Sequence, residues 1–270
     1  MNMERHGDVR GLAALLDSLQ ERGRYCLTRD EAASRLSISD DALTKAAQRL
    51  VARRRLVVPR RGFWVIVPLE HRQAGAPPPD WYITDLMVHC GCPYYVGLLS
   101  AAALHGAGHQ QPQEFQVVTD VQQRPAAAGR GRMRFFRKLA LSSVPVVEVR
   151  TETGSMRVST PEATALDLLR YLDAAGQVNH VATVLADLAE AMDPDRLLDA
   201  ARLEQNVPNA QRLGFLLDLV GAGDMGAPLA EWVAERRPRY LALRPDRPLD
   251  HAVRDPRWRV LVNATVEADD

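Results

Sequence analysis

From Thr28 to Arg53 the chain spells two short helices with only three residues between them, and that spacing restricts the fold more than any other feature. Thr28-Arg29-Asp30-Glu31 is a capping box, in which the Thr28 hydroxyl accepts from the Glu31 amide and Glu31 reaches back. The helix it starts runs to Leu36, with Ala32, Ala33 and Leu36 inward. Ser37-Ile38-Ser39 ends it; Ile38 is expected to plug the turn, and Ser39 is a good N-cap for the next helix. Asp40 and Asp41 occupy the first turn of that helix, where the dipole favours acids. It continues to about Arg53, with Leu43, Ala46, Ala47, Leu50 and Val51 inside and Thr44, Lys45, Gln48, Arg49 and Ala52 outside. A stripe of Leu12, Leu15, Leu16 and Leu19 supplies a helix before the pair. Two helices joined by so tight a turn form a helix-turn-helix.

Leu56-Val57-Val58 and Phe63 to Val67 read as strands joined by Pro59-Arg60-Arg61-Gly62, where Pro sets φ and Gly tolerates positive φ. A hairpin in that position is a wing. In such a module the last helix enters the major groove of double-stranded DNA with its exposed side chains on base edges. Arg49 or Lys45 suits guanine, Gln48 suits adenine, and Thr44 suits a phosphate or a thymine methyl. Arg53 belongs to the basic run Arg53-Arg54-Arg55 beside them, and Arg60 and Arg61 suit phosphates or a narrow minor groove. A winged helix can also serve protein contacts with its polar face solvated; the basic run and the wing arginines favour DNA.

Charge separates along the chain. Residues 1–75 carry 14 Lys/Arg against 9 Asp/Glu, and the remainder carries 20 against 25, so a basic module precedes an acidic body of neutral total charge. Only Lys45 and Lys138 are lysines. At 270 residues, 46% of them hydrophobic, two or three domains are expected. Gln73-Ala74-Gly75-Ala76-Pro77-Pro78-Pro79 is the boundary candidate, because three prolines forbid helix and interrupt strand pairing. The expectation is a winged helix-turn-helix over 1–75 and a separately folding domain over 80–270. In the second unit Trp81 to Cys90 and Gly97 to Leu104 read as helices. Phe115–Thr119, Met133–Arg137, Val146–Arg150 and Met156–Val158 read as strands. Arg124 to Gly131 reads as a loop. From Pro161 the leucine and valine spacing is helical, and Trp258 to Val266 alternates like a strand. The fold class expected is α+β: the winged helix-turn-helix plus a larger α+β domain with a helical end.

Several features bear on chemistry. Cys26, Cys90 and Cys92 make no disulfide framework, and Cys90-Gly91-Cys92 lacks a second pair for a metal. The start Met-Asn-Met-Glu-Arg-His has no apolar segment typical of a signal peptide, and no run of 18 apolar residues occurs, so a cytoplasmic protein without membrane contact is expected. Gly221-Ala222-Gly223-Asp224-Met225-Gly226 spells a dinucleotide fingerprint but follows a leucine-rich helix instead of a strand. Gly221 therefore reads as a helix C′ residue. His105 and His109 have zinc spacing, but Gly106 and Gly108 break the helix such a site needs. No catalytic set, cofactor site or metal site stands out, and a non-enzymatic role is expected. Arg130, Arg132, Arg134, Arg137 and Lys138 form a basic cluster in the acidic body. It reads either as a charge-blunted strand edge or as a second nucleic-acid surface.

The run Pro93-Tyr94-Tyr95-Val96-Gly97-Leu98-Leu99-Ser100-Ala101-Ala102-Ala103-Leu104-His105-Gly106, followed by His109-Gln110, resembles the AbiEi antitoxin family of type IV toxin–antitoxin systems. The wing motif Arg61-Gly62-Phe63-Trp64-Val65-Ile66 and the segment Ser159-Thr160-Pro161-Glu162-Ala163-Thr164-Ala165-Leu166-Asp167 resemble it too. The resemblance implies an autorepressor whose winged domain binds inverted repeats in its own promoter and whose C-terminal domain supplies antitoxicity. It implies as partner a nucleotidyltransferase-like toxin, countered without a stable complex. A stand-alone transcription regulator, and a nucleic-acid-processing enzyme targeted by a winged helix, are the alternative readings.

Overall fold

The computed structural model describes residues 11–108 and 112–266. The winged unit runs α1 (Leu12–Glu21), β1 (Cys26–Thr28), α2 (Arg29–Leu36), α3 (Asp40–Ala52), β2 (Leu56–Arg60) and β3 (Phe63–Ile66). Both caps form as the sequence dictates: the Glu31 amide donates to Thr28 Oγ1 at 3.1 Å and the Ala42 amide to Ser39 Oγ at 3.3 Å. Ser37 turns the chain between α2 and α3 in the left-handed region at φ 50°. Ile38 does not plug that turn: it is 37% exposed, and Val51, expected inward on α3, is 41% exposed. Leu43, Ala47 and Leu50 suffice to dock α3 on α1 and β2.

The larger unit begins with α4 (Ile83–Cys90), β4 (Tyr94–Val96) and α5 (Leu98–Leu104). It continues through β5 (Phe115–Thr119), β6 (Ala126–Ala128), β7 (Gly131–Arg137), β8 (Val146–Thr151) and β9 (Gly154–Ser159). Helices follow: α6 (Pro161–Arg170), α7 (Gln177–Ala189), α8 (Pro194–Glu204), α9 (Val207–Leu219) and α10 (Ala227–Glu235). Three short strands close the described chain: β10 (Leu241–Ala242), β11 (Val253–Asp255) and β12 (Val260–Val262). The molecule is α+β. A mixed six-stranded sheet in the order β6-β7-β5-β4-β9-β8 forms its centre. The segment 124–131, expected as a loop, contains β6. Alanines have weak strand preference, but these pair with β7 across a two-residue turn and lie beneath the wing strand β2.

Strand alternation assigns the two faces of this sheet. Tyr95, Val118 and Phe136 point to a core filled by α6, α7 and α9, while Tyr94, Val96, Val117, Met133 and Phe135 point to α4 and the winged unit. In the helical layer Gly214 receives the fully buried Trp258, and a Cβ there would stand 2.1 Å from the indole ring. Gly221, at φ 81°, is the C′ residue of α9; the Ala222 amide bonds Leu217 O at 2.8 Å and completes a Schellman cap.

The small sheet β1-β3-β2 is buried on both sides. Leu27, Leu56, Trp64 and Ile66 enter the winged core, whereas Cys26, Phe63 and Val65 enter the core shared with Tyr82, Leu86, Met87 and the large sheet. The proline run 77–79 therefore follows the end of the winged fold, but the apolar packing does not divide there. Tyr25 packs on Trp81 with ring centroids 4.7 Å apart, and Cys26 Sγ donates to Asp85 at 3.1 Å. Residues 1–75 alone would present Phe63 and Val65 to water, which removes the physical basis for expecting separate folding. Phe63→Ala is expected to cost about 3–5 kcal/mol, measured as a lowered denaturation midpoint, because the ring fills a core belonging to both units.

Candidate nucleic-acid interface

Helix α3 presents Lys45, Gln48, Arg49 and Arg53 along one exposed face at helical spacing. Among the described residues none of these four side chains has a hydrogen-bond or ion-pair partner, so each keeps its donors for a ligand. Thr44 differs. Its hydroxyl donates to Asp40 O at 2.8 Å and accepts from Arg29 Nη2 at 3.0 Å, so it braces the start of α3. Arg29 also reaches Asp40 Oδ2 at 3.3 Å and tempers the acid at the helix start. That bracing role has no local signature, because Arg29 reads only as the second residue of a capping box.

The wing is shorter than the sequence suggests. Arg60 pairs with Phe63, leaving Arg61-Gly62 as the turn, and the pairing register shifts between Val57 and Arg60, where Pro59 lacks an amide proton. The Arg60 side chain, expected at the wing tip, is engaged within the protein. Its guanidinium bonds the carbonyls of Arg124 and Pro125 and lies over the Phe135 ring, 5.3 Å from its centroid. The backbone of the turn is engaged as well: Arg61 O meets His89 Nε2 at 3.0 Å, and Gly62, at φ 77°, lies against the His89 ring. Only the Arg61 side chain remains exposed at the tip.

The basic cluster of the second unit is divided by strand geometry. Arg132 and Arg134 lie on one face of β7, Arg137 belongs to the opposite face, and Arg130 sits in the β6–β7 turn with its amide bonded to Ala74 O at 2.8 Å. Arg134 covers the Phe136 ring and Arg137 Nε donates to Asp120 O at 3.3 Å. Lys138 is not on any surface; it is 3% exposed. Its Nζ donates to Asp167 Oδ1 at 2.7 Å and Glu204 Oε2 at 3.0 Å. Arg170 Nε donates to Glu204 Oε1 at 3.2 Å, and Tyr95 Oη to Asp167 Oδ2 at 2.7 Å. Two cations and two carboxylates thus neutralise one another. Burial nonetheless pushes the Asp167 carboxyl above its ordinary range, with Lys138 opposing that shift. Lys138, Arg170 and Glu204 edge a cavity of about 400 Å³ whose remaining walls include Leu139, Val144, Leu166 and Leu203.

His105 Nε2 meets Ser159 O at 2.7 Å, a structural contact, while His109 and Gln110 lie outside the described residues. Among the described residues no helix is long and apolar enough to cross a membrane, and no group of three or more His, Cys, Asp or Glu side chains is placed to hold a metal ion.

Residues 95–219, from β4 to the end of α9, match the family model described as the AbiEi antitoxin C-terminal domain, and that span contains every member of the buried ion network. No curated protein matches the sequence. The crystal structure of RV2827C protein from Mycobacterium tuberculosis is similar in fold, with a TM-score of 0.65 at 18% identity over 92% of this chain and 89% of that one. Lys138→Met is expected to lower stability by about 3–5 kcal/mol, because it strands two buried carboxylates. Burial already raises the Asp167 carboxyl and Lys138 opposes that shift, so without the cation Asp167 holds its proton more tightly in the folded than in the unfolded chain. The deficit should therefore be larger at pH 8 than at pH 5, as measured by denaturation at the two pH values.

Proposed function

We propose, from the match of residues 95–219 to the AbiEi antitoxin C-terminal domain model, that the chain is the antitoxin of a type IV toxin–antitoxin system and a sequence-specific repressor of its own promoter. The observation that carries the DNA-binding half is the face of α3. Lys45, Gln48, Arg49 and Arg53 are exposed and unpartnered among the described residues, on a helix capped by Ser39 and braced by Arg29. A helix of that kind enters a major groove, where Gln48 bonds adenine and Arg49 or Lys45 guanine, while Arg53 and Arg61 contact phosphates. The antitoxin half rests on the family model that the sheet domain matches, and its target is a nucleotidyltransferase-like toxin countered without a stable complex. The exposed arginines of the cluster, Arg130, Arg132, Arg134 and Arg137, remain the basic surface available to that activity; Lys138 serves the interior.

Gln48→Ala and Arg49→Ala should each weaken binding to the DNA upstream of the protein's own gene by about 1–3 kcal/mol while leaving binding to scrambled DNA unchanged. Equal losses on both DNAs would reassign these residues to phosphate contacts. Arg61→Ala should reduce the salt dependence by about one slope unit for a lost phosphate contact. Arg60→Ala should leave that slope unchanged, since the Arg60 guanidinium is held by carbonyls of the second unit. Titration at several salt concentrations distinguishes the two arginines.

A further inference from the structure

The two edges of the six-stranded sheet are unlike. At one end β6 lies beneath the wing strand β2; at the other β8 pairs with β9 on one side, and no other strand pairs with it among the described residues. Thr151 and Gly154 close a two-residue hairpin between β8 and β9. The closing pair of such a hairpin is a hydrogen-bonded pair, and alternation then turns the N–H and C=O groups of Val146, Glu148 and Arg150 away from β9. β8 reads Val-Val-Glu-Val-Arg-Thr, with Val147 40% exposed and both Glu148 and Arg150 exposed. Neither charge has an ion-pair partner within 4 Å among the described residues.

Charges on an edge strand ordinarily discourage pairing. Here they are self-complementary. If two copies of β8 run antiparallel about a twofold axis through Val149, Glu148 of each copy stands opposite Arg150 of the other. That register also sets the outward-facing amides opposite one another, as a hydrogen-bonded ladder requires. Shifting it by one step either way places Glu148 opposite Glu148 or Arg150 opposite Arg150, which opposes association. We propose that β8 is a self-association edge, through which two copies of this chain pair antiparallel at Val149 and join their sheets into one. The occupant is a second copy because the strand's charges match its own sequence in reverse. The arrangement places the two winged units at the outer ends of the joined sheet.

The register makes the test specific. Val149 faces its own counterpart as a non-hydrogen-bonded pair, with Cα atoms about 4.5 Å apart, within disulfide reach. Val147 faces Thr151 instead and lies about 13 Å from its counterpart, beyond that reach. In the full-length chain with oxidised glutathione, Val149→Cys should form a disulfide-linked dimer, while Val147→Cys and the wild type, which measures the background of Cys26, Cys90 and Cys92, should not. By sedimentation the wild type should be dimeric at micromolar concentration. Glu148→Arg alone and Arg150→Glu alone should each be monomeric, and the double exchange should restore the dimer. A monomeric wild type, equal cross-linking at 147 and 149, or a double exchange that stays monomeric with unchanged circular dichroism would each overturn the proposal.

Discussion

Burial of β3 on both faces is the constraint from which the rest of the arrangement follows. Trp64 and Ile66 complete the core beneath α1 and α3, and Phe63 and Val65, on the opposite side of the same strand, complete the core beneath α4 and the large sheet. A strand with one wet face would leave the winged unit free to move on its linker. With both faces dry, moving it would expose aromatic and branched side chains, each worth about 1.5–3 kcal/mol of burial. The polar contacts of Arg60 and His89 add direction to that apolar attachment, since carbonyl acceptors and a ring nitrogen accept only particular geometries.

Inside the sheet domain the equivalent fixture is ionic. Lys138 at the end of β7, Asp167 on α6 and Glu204 at the end of α8 meet where an apolar interior would otherwise close. Desolvating these charges is costly, and their mutual attraction with the added bonds from Arg170 and Tyr95 offsets that cost only when all are present. The network therefore ties β7, α6 and α8 together through charges that compensate one another only as a set. Gly97 serves the same junction: a Cβ there would lie 2.9 Å from Val118 and 3.0 Å from the Tyr95 ring, so only glycine lets β4 turn into α5 beside Asp167.

These two fixtures bear on function through position. The exposed face of α3 is carried by a unit that shares its core with the large sheet, so the α3 face and the domain that matches the antitoxin family model lie on one packed body rather than on two tethered ones. The basic character noted along the sequence is correspondingly redistributed. Arg49, Arg53 and Arg61 remain exposed, while Arg60 and Lys138 are consumed in holding the body together.

The winged helix-turn-helix was legible in the sequence because its determinants are local. Thr28 and Ser39 bond amides three residues away, the leucines of α1 and α3 repeat at the helical period, and Arg61-Gly62 forms the turn itself. The same holds for the Gly221 cap and for most strands of the large sheet, whose branched and aromatic residues announce a pleated surface. The unbroken apolar run from Phe63 to Val67 was the one sign of two-sided burial, since a half-exposed wing strand would alternate. What tertiary structure alone decided was the partner of each long or charged side chain. Arg60 and Arg61 are adjacent in sequence and chemically identical, yet one meets carbonyls 64 and 65 residues away and the other meets solvent. Lys138 looked like the last of five surface cations until Asp167 and Glu204, 29 and 66 residues further on, came to its Nζ. Sequence spacing sets which face of a strand a side chain takes; the element that comes to lie against that face is settled only when distant segments pack.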